Sequence, residues 1–297
     1  MNQKSNKACL IKSVNASQWN SIILGWAKKE NWDMNADDTT NFFNVEPNGF
    51  FITYRGEQPI ATMSMVNYSD TYAFGGNLII PPEFRNHVCS GRIWKPTIAY
   101  AEHRTIGCEG NEDISGLYEK RGFVIHHRNV RLSGAIQQKV VPPAGATVIT
   151  QANIAEVIQY DAECLGFYRN KLLADWFWGE QRFGFCTYTR TVTRTGTRTG
   201  ISGIIGIRKS QNGYRIGPFY ADNAEAVETL FLTALAQIPA GTSVSADVPE
   251  TDNNDFLLLA HEYGLRKLFH TYRMYKGNDV PKGRQDKVKA TMSLELG

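Results

Sequence analysis

Residues 78–94 read LIIPPEFRNHVCSGRIW. The apolar run Leu78, Ile79, Ile80 is stopped by Pro81 and Pro82, a turn of small and polar residues follows, and an amphipathic stretch then runs to Tyr100. That is strand, turn, helix. A helix start presents unpaired N–H groups and the positive end of a dipole, so the turn is suited to an anion. It is not glycine-rich and lacks the P-loop lysine, and from these residues alone a plain strand-to-helix connection is the simpler reading.

Upstream, SQWNSIILGWAKKEN places Trp19, Ile22, Ile23 and Trp26 on one helical face, and DDTTNFF reads as a short second helix capped by Asp37 or Asp38. GFFITYR and PIATMSMVNY are β-rich and separated by GEQ, a hairpin signal, and TYAFGGNLII extends the sheet into the opening stretch. Downstream, the spacing predicts a helix from Cys89 to Glu102, a strand in RTIGCEG, a helix in NEDISGLYEKRG and a closing strand in FVIHHRNVRL. The paired histidines 126 and 127 read as alternating strand surface.

SGAIQQKVVPPAGAT has paired prolines and no periodicity, which sets a boundary near 134–146. Beyond it the order repeats. IAEVIQYDAECLG and KLLADWFW read as helices, and FCTYTRTV, ISGIIGIRK and YRIGPFY as strands, with QNG as a hairpin turn. AEAVETLFLTALAQ is a helix that Asp222 is placed to cap, SVSADV a strand, NDFLLLAHEYG a helix and LRKLFHTYRMY a strand.

Set at a constant offset of 142, NEDISGLYEKRGF meets NNDFLLLAHEYGL, so that Asn111 meets Asn253, Asp113 meets Asp255, Leu117 meets Leu259 and Gly122 meets Gly264. Arg131 meets Arg273 at the same offset. The identities coincide with the same helix–strand order, which reads as duplication of one αβ unit.

Composition narrows the function classes. Lys and Arg number 32 against 29 Asp and Glu, a net charge of +3, too small for a nucleic-acid or membrane surface. The Thr/Arg repeat TRTVTRTGTRTG, 189–200, lacks interleaved aromatics and lies between strand signals, so it reads as a solvated hairpin extension. Five scattered cysteines without a CxxC pair suggest reduced thiols and a cytoplasmic setting. The six histidines show no metal spacing.

Taken together, this order, LIIPPEFRNHVCSGRIW and the later LYEKRGF resemble the GCN5-related N-acetyltransferases (GNATs), in their tandem two-domain form. The resemblance covers both halves: WAKKENWDMNADD, NGFFITYRGEQPIATMSMVNY and RGFVIHHRNVRLSG fit the first unit, YRIGPFYADNAEAVETL and HTYRMYKG the second, and ATMSLELG a last strand. It implies an α/β (α+β) chain of two tandem units, each a mixed, mostly antiparallel splayed sheet flanked by helices. The units are 1–134 and 147–297, joined by a linker at 135–146.

The resemblance also implies a reaction: transfer of acetyl from acetyl-CoA to a primary amine of a small molecule by direct attack, with no metal, no nucleic acid and no membrane. A homodimer is left open. The first unit would hold the cofactor through Leu78, Ile79 and Ile80, through the loop Arg85, Asn86, His87, Val88, Cys89, Ser90 and Gly91, and through Asn111. Val88 stands at the first glycine position of the family's loop, where a β-branched residue resists positive φ, and Ser90 at the second. Tyr118, four residues before the Gly-Phe pair, would protonate the departing thiolate; its counterpart at offset 142 is Ala260. Trp32, Asp33, Phe42 and Phe43 would flank the acceptor mouth. The central strand offers Gly75, Gly76 and Asn77 but no carboxylate, so the base is unassigned, and a non-catalytic ligand-binding or regulatory protein with a degenerate loop stays as the alternative.

Overall fold

The structure, a computed structural model, describes residues 8–85, 87–193, 196–251 and 254–297. The first half runs β1 (Cys9–Ser13), α1 (Ala16–Lys29), α2 (Ala36–Val45), β2 (Phe50–Arg55), β3 (Gln58–Asn67), β4 (Tyr72–Ile79), α3 (Val88–Gly91), α4 (Trp94–Tyr100), β5 (Thr105–Asn111), α5 (Glu112–Glu119) and β6 (Val124–Ile136). The second runs β7 (Ala146–Val148), α6 (Ile154–Leu165), α7 (Asn170–Trp176), β8 (Arg182–Thr193), β9 (Gly196–Lys209), β10 (Tyr214–Ala221), α8 (Ala224–Leu235), β11 (Thr242–Pro249), α9 (Phe256–Glu262), β12 (Arg266–Lys276) and β13 (Val288–Ala290).

Local chemistry explains the helix ends. Asn15 and Gln18 form a reciprocal capping box at the start of α1, whose buried stripe is Trp19, Ile23 and Ala27. The cap of α2 is Asn35, which accepts from the Asp38 N–H at 2.8 Å, in place of the expected Asp37 or Asp38. Asp38 is instead buried between Arg182 (2.7 Å) and Arg208 (2.8 Å) of the second half. Burial raises its carboxyl, but the Arg208 and Arg182 guanidiniums prevail and hold it below the usual carboxylate range. Likewise Asn223, not Asp222, caps α8, because Asp222 accepts from Tyr160 (3.1 Å) and Arg284 (2.8 Å). Cys9 on β1 and Cys89 in α3 form a disulfide with Cα atoms 5.7 Å apart, which corrects the expectation of five reduced thiols.

The strands form one 13-stranded sheet in the order β1-β2-β3-β4-β5-β12-β6-β11-β10-β9-β8-β7, with β13 added beside β10. Its centre is an exchange. The closing strand of the first half, β6, pairs with β11 and β12, and β12 pairs with β5, so each half is completed by the other's last long strand. Residue 136 still lies in β6, and irregular chain occupies only 137–145 before β7.

The β6–β12 ladder records the duplication. Asn129 pairs with Thr271, residues equivalent at the offset of 142. His126 on β6 and Leu268 on β12 are each an extra residue in the register, two bulges again 142 apart. The bulge breaks the expected alternation of the two histidines and brings their Nδ1 atoms to 2.9 Å.

Candidate active site

β4 and β5 pair in parallel only from Tyr72–Thr105 to Gly75–Cys108, and beyond that they part. The cause is visible on β4. Asn77 adopts φ 53°, the register against β3 shifts between Thr62 and Ser64, and the buried amide of Asn77 donates to Ser64 Oγ at 2.9 Å while its carbonyl accepts from Thr62 at 2.9 Å. Asn tolerates the left-handed region better than most residues, so the bulge is affordable there and turns the backbone of Gly76–Leu78 towards the gap.

The gap is a cavity of about 440 Å³. One wall is Gly75, Gly76, Asn77 and Leu78; the opposite wall carries Cys108, Glu109, Asn111 and Tyr118; Trp32, Arg131, Phe269, Thr271 and Glu295 close the far end. Tyr118 is buried on α5, its ring stacked on Trp94 at 5.2 Å and tilted against Phe123 at 5.6 Å. Burial pushes its phenol far above the ordinary value, so it carries its proton at any working pH. Glu109 is also buried: it accepts from Asn129 Nδ2 (2.7 Å), Thr271 Oγ1 (2.8 Å) and Arg273 Nε (2.6 Å). Asn111 caps α5, accepting from the Ile114 N–H at 3.1 Å.

The phosphate-loop stretch has its own geometry. Val88 opens α3 and is 75% exposed, and neither Val88 nor Gly91 is among the positive-φ residues, so this loop turns without the glycine conformations its family pattern suggested. His87 Nδ1 accepts from the Cys89 N–H at 3.2 Å, and buried Ser90 donates to Phe84 O at 2.9 Å. Arg85 is tied back by Nε to Ile80 O (3.2 Å) and by Nη2 to Glu30 (2.8 Å). Leu78 faces the cavity, Ile79 is buried in the core, and Asn86 lies outside the described residues.

Three expected acceptor residues are elsewhere. Phe42 and Phe43 are core side chains, Phe43 stacking on Phe50 at 4.1 Å, because α2 turns its apolar face to the sheet. Asp33 is buried with both oxygens engaged, by Ser210 Oγ at 2.9 Å and the Asn212 N–H at 2.8 Å, and it lines a neighbouring cavity of about 470 Å³. Trp32 alone of the four is in the wall.

The corresponding gap in the second half is filled. β10 pairs with β11 only over Tyr214–Ile216, and past the Gly217–Pro218 bend it pairs with β13 instead, Phe219 with Ala290 and Tyr220 with Val288. Thr291 N–H donates to Asp247 O of β11 at 2.8 Å. The chain's own tail thus lies where a strand-like ligand would sit. The regular strand within it is Val288–Ala290, ahead of most of the expected ATMSLELG, and Ala260 replaces the tyrosine.

A family model described as an acetyltransferase (GNAT) domain matches residues 157–289. The holothin acyltransferase of Pseudoalteromonas sp. (strain SANK 73390) is 39% identical over 286 residues, covering 96% of this chain and 94% of that protein. The chain belongs to the GCN5-related N-acetyltransferases. Solved GNAT structures agree in fold: a Pyrococcus horikoshii protein assigned to the acetyltransferases superposes with a TM-score of 0.79 at 16% identity, covering 100% of this chain and 98% of that one. A tandem GNAT protein from the clavulanic acid biosynthesis pathway gives 0.61 at 12% identity, covering 90% and 98%. As a GNAT of tandem type, the chain is an acyltransferase, and the fold implies an acyl-CoA cosubstrate. Among the described residues no helix is long and apolar enough to cross a membrane.

Sequence reasoning missed Glu109, Arg131, Phe269, Thr271 and Glu295 in this GNAT's cavity wall. Phe269, Thr271 and Glu295 come from the second half: the strand exchange brings the first two here on β12, and the tail brings Glu295 against Gly76. The Arg131–Arg273 repeat was the one signal that pointed to this seam.

Proposed function

We propose that this GNAT moves an acetyl group from acetyl-CoA to a primary amine of a small molecule by direct attack, and that the first unit alone does so. The observation that carries this reading is the contrast between the two gaps: β4 and β5 part around a cavity with Tyr118 in its wall, and β10 and β11 part around the chain's own tail.

The residues fit the cosubstrate. Past Gly75 the β4 edge is free of β5, which leaves backbone groups for an extended pantetheine arm. The bulged residues Gly76, Asn77 and Leu78 line the gap, and backbone amides turned into it there would polarise a thioester carbonyl as oxyanion donors do. Tyr118, kept neutral by burial, would give its proton to the leaving sulfur. Bound acetyl-CoA supplies the activated acyl carbon.

The relative's name makes holothin the first acceptor to try. The test is thiol release from acetyl-CoA by the purified protein with holothin and a panel of primary amines, with the amide product identified by mass. Acetylated amine with stoichiometric free CoA is expected. Thiol release no faster than background with every amine would overturn the reading.

A further inference from the structure

Glu295 is the unexplained carboxylate of this site. It belongs to the tail, is 3% exposed, and lies in the cavity wall with Gly75, Gly76 and Tyr118. Its Oε1 meets Arg215 Nη1 at the long distance of 3.5 Å, and its Oε2 is buried with no partner among the described residues. Arg215 is also engaged elsewhere, giving Nη2 to Asp247 at 2.8 Å. Among the other carboxylates of the lining, Glu109 has both oxygens occupied by Asn129, Thr271 and Arg273, Glu30 pairs with Arg85 at 2.8 Å, and Glu112 and Asp113 are exposed in the first turn of α5.

The placement of Glu295 is fixed by the backbone. A Cβ at Gly76 would overlap the Glu295 carbonyl oxygen, so the tail lies directly on the bulged end of β4, and glycine permits that approach. One residue on from Gly76, the buried Oδ1 of Asn77 also has no partner among the described residues. Both oxygens lie just behind the cavity lining, each with under 1 Å² of surface open, so a turn of the side chain is needed to present them to a ligand rich in donors, and an ammonium group offers three.

We infer that Glu295 Oε2 receives the acceptor ammonium and takes its proton, so that the tail which fills the second unit's gap also supplies the base of the first. This rests on the acetyl-transfer reading above. As the freed amine nitrogen bonds to the acyl carbon, the C–S bond breaks with its electron pair on sulfur, and the thiolate takes the Tyr118 proton. The bonded nitrogen sheds its second proton, which restores the Tyr118 phenol, and Glu295 releases the first to solvent, leaving amide, CoA thiol and one proton from the ammonium.

The experiment compares wild type, Glu295→Gln and Glu295→Asp by acetyl-CoA calorimetry and by the pH profile of kcat/KM for an amine the wild type acetylates. The expected result is an acetyl-CoA Kd unchanged in Glu295→Gln, with kcat/KM lower by about 10²-fold or more. Its rate should keep rising with pH through the amine's own pKa, and Glu295→Asp should recover part of the loss. Glu295→Gln within threefold of wild type with the same pH profile would overturn the inference and leave the acetyl-transfer reading standing. So would a parallel loss of acetyl-CoA affinity in Glu295→Gln, which marks a structural role. Wild type that acetylates no amine would overturn the function itself, and this inference with it.

Discussion

Asn129 and Thr271 face each other across the β6–β12 ladder, and each is the other's counterpart in the duplicated chain. A local two-fold relation passes between them. It maps the Arg273–Glu109 pair (2.6 Å) onto the Arg131–Asp247 pair (2.7 Å), in which the arginine of each closing strand meets a carboxylate on the fifth strand of the other half. The two pairs differ in their remaining partners: both axis residues donate to Glu109, whereas Asp247 is held by Arg131 and Arg215.

Removing one side of such a pair strands a buried charge. Arg273→Met is expected to lower unfolding free energy by about 3–5 kcal/mol in urea denaturation, and the double variant with Glu109→Gln to recover part of it. A double-variant loss equal to the sum of the two single losses would show that the pair is not coupled.

Tyr118→Phe keeps the ring stacked on Trp94 and deletes only the hydroxyl. Steady-state kinetics should show kcat lower by about 10²-fold or more, with the melting temperature and acetyl-CoA affinity near wild type.

Asn77 holds φ 53° and donates to buried Ser64. Asn77→Ala should cost about 2–3 kcal/mol, combining left-handed strain with the lost hydrogen bond. Asn77→Gly relieves the strain and should cost less. Chemical denaturation of the two variants gives the difference directly.

His127 gives a pH dependence of known sign. Burial, Arg273 and the adjacent His126 ring hold its pKa down to about 3, against an ordinary 6.5. The unfolded chain therefore binds the extra proton first, and this contribution to stability is complete above about pH 6.5 and is lost as pH falls towards 3. By pH 5 the loss is up to about 2 kcal/mol at 1.4 kcal/mol per unit. Urea midpoints at pH 7.5 and 5 should differ less in His127→Asn than in wild type.

Much of the fold was legible because it is local. Apolar spacing marked α1, the β2–β3 hairpin and the β4 stretch, and the offset of 142 marked the duplication. The strand exchange was not legible, since periodicity gives each strand a face and no neighbour. The site suffered for the same reason. Tyr118 and Leu78 were found from their own half, whereas Phe269, Thr271 and Glu295 reach the cavity only through β12 and the tail. Phe42 and Phe43 were misplaced because a helix that borders a pocket still buries its aromatic face in the core. Asp33 failed because a carboxylate beside a pocket was already taken by Ser210 and Asn212.

The central claim is that one acyl-CoA binds per chain, in the first unit, because the tail fills the second gap. Calorimetric titration of acetyl-CoA, with amide hydrogen exchange on the same samples, tests it most directly. The account predicts one site per chain, with new protection on β4 and residues 87–91. Two sites per chain, or protection falling on β10 and the start of α8 instead, would contradict it.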